Sequence, residues 1–125
     1  MTPTQRTLKH LRQAGYTRVG IVERFNRFAG PKGIRQDLFG FLDLIAISPM
    51  AGIVGVQSTG TDFAGHRRKI LEDRRQECID WLMAGGRVLL YGWRKVKAKR
   101  GGKKMVYKPR IEEITLDTFG LGVLQ

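Results

Sequence analysis

The sequence predicts a single mixed α/β domain, a β-sheet flanked by helices in the order helix, strand, two-stranded hairpin, helix, strand, strand. Three observations carry this. Apolar residues recur at helical spacing near the start and in the third quarter of the chain; alternating or continuous apolar runs lie between and after them; and glycine-rich punctuation marks the junctions. With 125 residues, 42% of them hydrophobic, the chain can bury one modest core and is short for a second domain.

In residues 4–14, Leu8, Leu11 and Ala14 share helical spacing, and Gly15 stands where a left-handed cap ends a helix. Residues 18–25 (RVGIVERF) alternate, with Val19, Ile21 and Glu23 on one face and Val22 on the other, which predicts a strand. The segment 26–36 (NRFAGPKGIRQ), with Gly30, Pro31 and Gly33, reads as a loop displaying Arg27, Lys32 and Arg35. Residues 41–47 (FLDLIAI) form a nearly unbroken apolar run, as in a strand covered on both faces. A turn over 48–52 returns the chain as 53–59 (IVGVQST), and this hairpin should be the sheet centre. Ile70, Leu71, Cys78, Ile79, Leu82 and Met83 fall on one side of 66–84, predicting an amphipathic helix that stops at Gly85-Gly86. Residues 87–96 predict another strand, joined through a Gly101-Gly102 turn to a last one over 105–116.

The net charge of +12, from 23 Lys and Arg against 11 Asp and Glu, exceeds what solubility needs and points to a polyanionic partner. The excess is local. Arg94, Lys95, Lys97, Lys99, Arg100, Lys103, Lys104, Lys108 and Arg110 follow one another with no acidic residue between them, so the last two strands should carry a basic hairpin. A single cysteine, Cys78, excludes an internal disulfide and a cysteine-based metal site and fits a reducing cytoplasm. With a polar, basic start and no long apolar run, the expectation is a protein neither secreted nor embedded in a membrane. The apolar tail FGLGVLQ either finishes the core or pairs subunits into a homodimer.

A carboxylate inside FLDLIAI requires a partner or a metal, because burying it alone is expensive. If the hairpin is symmetric about Met50, Ile47 faces Ile53 and Asp43 faces Gln57, with Thr59 further along the same face. These residues resemble the PD-(D/E)XK nuclease superfamily, in its branch of Holliday-junction-resolvase-like and virus-type replication-repair nucleases. Gly40 and Asp43 match the Gly-x-Pro-Asp strand, with Leu42 at the Pro position, and Gln57 and Thr59 occupy the Glu and Lys positions of the Glu-x-Lys strand. The resemblance spans about residues 4–96 and implies a restriction-endonuclease-like sheet and a Mg²⁺- or Mn²⁺-dependent endonuclease or resolvase-like activity on phosphodiester bonds, with nucleic acid, DNA ahead of RNA, as partner.

On that resemblance, Asp43, Gln57 and Glu23 are the metal ligands, and Asp43, Gln57 and Lys69 the catalytic set. Asp37 and Arg67 are further sources of the charges that Gln57 and Thr59 do not supply. Arg35, Arg67, Arg68, Lys95, Lys97, Lys99, Arg100, Lys103 and Lys104 are the nucleic-acid contacts. The departures at Gln57 and Thr59 leave a second reading, a nuclease-fold module with weakened or no catalysis that binds structured DNA or RNA or inhibits a nucleic-acid enzyme. A structural RNA binder explains the charge but not Asp43. Plainer roles stand beside each residue: a buried Asp43–Gln57 pair, a loop ion pair between Arg35 and Asp37, a solvated Glu23, and Lys69, Arg67 and Arg68 covering a helix turn. His10 and His66 read as surface helix residues, with His66 a candidate phosphate contact. Trp81 and Trp93 read as core, and Tyr107 as the better stacking candidate.

Overall fold

The computed structural model describes residues 1–122, in which three α-helices and a five-stranded mixed sheet form one α/β domain with a small two-stranded sheet beside it. The first helix, α1 (Pro3–Gln13), begins at a capping box: Gln5 N donates to the Thr2 hydroxyl and Thr2 N to the Gln5 side chain, with Pro3 in the first turn. Thr7 and Leu11 face the core.

The predicted strand over 18–25 is split into β1 (Arg18–Ile21) and β2 (Arg24–Asn26). Val22 N and Glu23 N both donate to the Asp43 carbonyl, at 2.8 and 3.1 Å, and this two-on-one bulge turns the chain out of the main sheet. The expected loop over 26–36 accordingly ends in a strand, β3 (Ile34–Gln36), paired antiparallel with β2. Residues 37–43 then fold back through a Leu38–Leu42 bridge, with Phe39 and Gly40 at positive φ. This turn takes the first residues of the predicted strand, so β4 spans only Leu44–Ser48.

The hairpin of β4 with β5 (Gly52–Thr59) has the expected register, Ile47 opposite Ile53 and Leu44 opposite Val56. Its cover is partial: Leu44 and Ala46 are buried, but Ile47 and Ile53, beside the turn, are exposed. In place of one continuous helix over 66–84, the chain forms α2 (Phe63–Arg68), a π-helical turn over Lys69–Asp73, and α3 (Arg75–Met83). Arg74 N donates to the Lys69 carbonyl, five residues back. Ile70 and Cys78 would lie about 80° apart on a regular helix. The wide turn absorbs a residue and brings both into the core, while Met83 ends 70% exposed.

The crossover lets β6 (Arg87–Lys97) pair parallel with β5, and β7 (Met105–Ile114) returns antiparallel, giving the order β1-β4-β5-β6-β7 with β5 in the middle. A short 3₁₀ turn over Leu116–Phe119 replaces the end of the last predicted strand. Along β6, Val88 and Leu90 face the core under α2 and α3, whereas Leu89, Tyr91 and Trp93 face the core under α1. Trp93 is a core residue whose indole N–H donates to Thr7, and Trp81 donates to the Arg87 carbonyl. Phe119 closes the first core and Leu121 is exposed; the rest of the tail, residues 123–125, lies outside the described residues. Among the described residues no helix is long and apolar enough to cross a membrane.

Candidate metal centre

Asp43 sits at the mouth of β4, its backbone fixed on both sides. Its N–H donates to the Val56 carbonyl at 2.8 Å and its carbonyl takes the two bonds of the bulge. Only 4% exposed, its carboxyl oxygen Oδ2 accepts from Gln57 Nε2 at 2.9 Å, Ser58 N at 2.8 Å and Ser58 Oγ at 3.3 Å. Asp43 and Gln57 therefore meet as the register requires. Ser58, rather than Thr59, completes the polar group, through both its N–H and its hydroxyl. Gln57 Oε1 is buried with no hydrogen-bond partner among the described residues.

The bulge and the fold-back turn bring two more acids to Asp43. Carboxylate oxygens of Glu23, Asp37 and Asp43 lie within 4.8 Å of one another, a cluster able to hold a metal ion. Asp37 thus takes the third position that sequence assigned to Gln57, whose amide instead donates to Asp43. The expected Arg35–Asp37 pair is not formed. Arg35 lies 3.7 Å from Glu23, and Lys69 Nζ donates to Asp37 Oδ2 at 2.9 Å.

The crowding perturbs protonation. Burial, and then the neighbouring Asp37 and Glu23 carboxylates, push Asp43 up to about 8. Burial works to raise Asp37 as well, but its hydrogen bonds with Asp43 and Lys69 and the Lys69 charge outweigh this and hold it below its usual value. At neutral pH Asp43 therefore keeps its proton beside the ionised Asp37. The donor set is all hard oxygen, the pocket holds more acid than it can ionise, and an orphaned amide oxygen adjoins it. Each of these features suits a bound metal ion.

The centre opens into a cleft of about 430 Å³, lined also by Thr2, Thr4, Ser58 and His66. A larger hollow of about 660 Å³ shares Arg35, Asp37 and Lys69 with it and continues past Arg24, Phe39 and Arg74. The two hollows meet at these three residues, so Arg24, Arg35, Lys69 and Arg74 all stand around or beside the acids. Gly40, at φ +80°, belongs to this wall: a Cβ there would meet the Arg74 guanidinium at 2.5 Å.

Of the remaining candidates, only His66 reaches the cleft that holds the acids. Arg67 Nε is 3.0 Å from both Glu112 carboxylate oxygens, and Arg68 is exposed. Lys95, Lys97, Lys99, Arg100, Lys103 and Lys104 are all exposed on the β6–β7 hairpin, closed by a bond from Ala98 N to the Lys104 carbonyl. The Arg6 guanidinium lies 3.5 Å over the Tyr107 ring and covers one of its faces. His10 is bonded to the Tyr91 hydroxyl and is not a free surface residue, while His66 bonds the Asp62 carbonyl at the rim of the cleft. The chain matches no protein-family model, no curated protein and no solved structure with which it was compared.

Proposed function

We propose that the protein is a metal-dependent phosphodiesterase acting on nucleic acid, a nuclease related to the PD-(D/E)XK superfamily. The observation that carries the reading is the acidic trio of Glu23, Asp37 and Asp43 with Lys69 at its edge, set in a groove of an otherwise strongly basic protein. Arg35, Lys69, Gln57 and Ser58 each satisfy one of these acids, but gathering three of them in one buried or half-buried place still costs stability.

Glu23, Asp37 and Asp43 would hold Mg²⁺ or Mn²⁺, the ion displacing the Asp43 proton. A bound ion there supplies Lewis-acid polarisation of a phosphate oxygen and acidifies water. Lys69 stands in for the ammonium absent at Thr59: held by Asp37 at 2.9 Å, its Nζ orients the attacking water and offsets phosphate charge. Arg35, beside Glu23, and the nine cations of the β6–β7 hairpin bind the flanking backbone. Ser58 and Gln57 position Asp43 through its Oδ2.

Calorimetric titration of Mg²⁺ and Mn²⁺, together with cleavage assays on branched, duplex and single-stranded DNA and RNA, tests this. Wild type is expected to bind one site's worth of ion and to cut. Asp37→Asn should lose both, and Lys69→Ala should keep ion binding and lose cleavage by on the order of a hundredfold or more. Oligonucleotide binding without ion binding or cleavage would refute the enzyme and favour the binding-module reading, in which Gln57 and Ser58 merely satisfy a buried Asp43.

A further inference from the structure

The hairpin formed by β2 and β3 presents an apolar tip that neither core uses. Phe28 is 85% exposed, Phe25 60%, and Ile34 is exposed beside them, yet none belongs to either packed cluster. Single exposed apolar residues are ordinary, but a group of three, two of them aromatic, on one small hairpin forgoes the burial that would stabilise the fold. The same thirteen residues, 24–36, contain Arg24, Arg27, Lys32 and Arg35 and no acid.

The aromatic pair is held apart rather than collapsed. The Phe25 ring lies against Gly33, where a Cβ would meet it at 2.3 Å, and φ of +79° further restricts that position to glycine. Phe28 N donates to Asn26 Oδ1 at 3.0 Å, which fixes the turn, and the Arg27 guanidinium stands 4.9 Å from the centre of the Phe28 ring. Between the rings is a concavity of about 340 Å³ lined by Arg24, Phe25, Asn26, Arg27 and Phe28. Aromatic faces interleaved with guanidinium groups suit unpaired bases, which expose their faces for stacking while their phosphates meet the cations; a base-paired duplex offers only edges and backbone.

We infer that the β2–β3 hairpin is a second nucleic-acid site, which stacks unpaired bases on Phe25 and Phe28. The hairpin springs directly from Glu23 and Asp37, so on the nuclease reading the substrate is a strand that is unpaired beside the scissile bond. The contact itself does not depend on that reading, since it needs neither ion nor cleavage.

Binding is measured by anisotropy in EDTA with a labelled 20-nucleotide oligothymidylate and with a duplex of equal length. The proteins are wild type, Phe28→Ala, the Phe25→Ala/Phe28→Ala pair, and Phe28→Trp. Loss of stacking in Phe28→Ala is expected to weaken single-strand binding roughly tenfold. Duplex binding should be unchanged, the double variant weaker still, and Phe28→Trp as tight as wild type or tighter. Equal losses on both substrates would reduce the hairpin to a backbone contact and overturn the proposal. Unchanged single-strand affinity would overturn it as well, and a change confined to self-association would assign the tip to an interface between copies. Because no ion is present, either failure leaves the cleavage assays above to judge the enzyme separately.

Discussion

The Asp43 proton makes metal binding and stability depend on pH in opposite directions. A carboxyl raised from an ordinary 3.8 to about 8 binds a proton in the folded chain that the unfolded chain has released. Between about pH 4 and pH 8 the metal-free protein therefore loses stability as pH rises, by at most about 1.4 kcal/mol per unit for this one group, and the loss levels off above 8. An ion must displace the same proton, so its affinity should climb close to tenfold per unit below pH 7 and about fiftyfold from pH 6 to pH 8. Thermal unfolding is followed from pH 5 to 9 with EDTA or with Mn²⁺, for wild type and for Asp43→Asn. The difference between the two proteins cancels the titration of groups remote from Asp43 and leaves that of Asp43 with its coupled neighbour Asp37. The substituted amide keeps an oxygen for Ser58 N and Gln57 Nε2 and carries no ionisable proton. Asp43→Asn should thus be closest to wild type in stability at the acid end, gain on it steadily up to pH 8 in EDTA, and be unresponsive to Mn²⁺. A difference that is constant across the window, or an Mn²⁺ stabilisation of Asp43→Asn equal to that of wild type, would refute the assignment of Asp43 as a protonated ligand.

Gln57→Glu removes the Nε2 donor to Asp43 and adds a fourth acid, so the metal-free variant should melt lower than wild type and recover with Mn²⁺, gaining more from the ion than wild type does; differential scanning fluorimetry reads both. Reversing Lys99, Arg100, Lys103 and Lys104 to Glu should make the slope of log affinity against log salt less negative by about 3 to 4, read by anisotropy over a salt series. Trp93→Phe deletes the 2.8 Å bond to the Thr7 hydroxyl between β6 and α1 and should cost about 1 kcal/mol, roughly 3–5 °C in melting temperature.

The sheet was legible because its signals are local. The turn over 48–52 fixes the β4–β5 register, and with it the meeting of Asp43 and Gln57, from symmetry about Met50 alone. The third acid was legible only as one of several sources for the charge that Gln57 lacks, not by its place. Asp37 reaches Asp43 only because a bulge ejects the chain at Val22 and a turn containing Phe39 at φ 55° returns it, and neither feature leaves a periodic trace. The helix break at Lys69 was hidden for a similar reason: the apolar stripe continues through it, and only the misalignment of Ile70 with Cys78 hints that a residue must be accommodated. Lys69 and Glu23 were identifiable as residue types suited to the chemistry, but their distances from Asp37 and Asp43 depend on these irregular segments.

The bulge has a mechanical meaning. Glu23 is the residue before β2 and Asp37 the residue after β3, so the small hairpin stands on two of the three acids like a lever on its pivots, while Asp43 is anchored in the main sheet through Val56. A tilt of the hairpin as a unit would move Glu23 and Asp37 relative to Asp43, and an ion held by all three would oppose that tilt. Coupling of this kind between occupancy of the tip and occupancy of the base would have one energy, the same from either end. An oligonucleotide bound at Phe28 should shift the Mn²⁺ affinity by the factor by which Mn²⁺ shifts the oligonucleotide's, so one titration predicts the other.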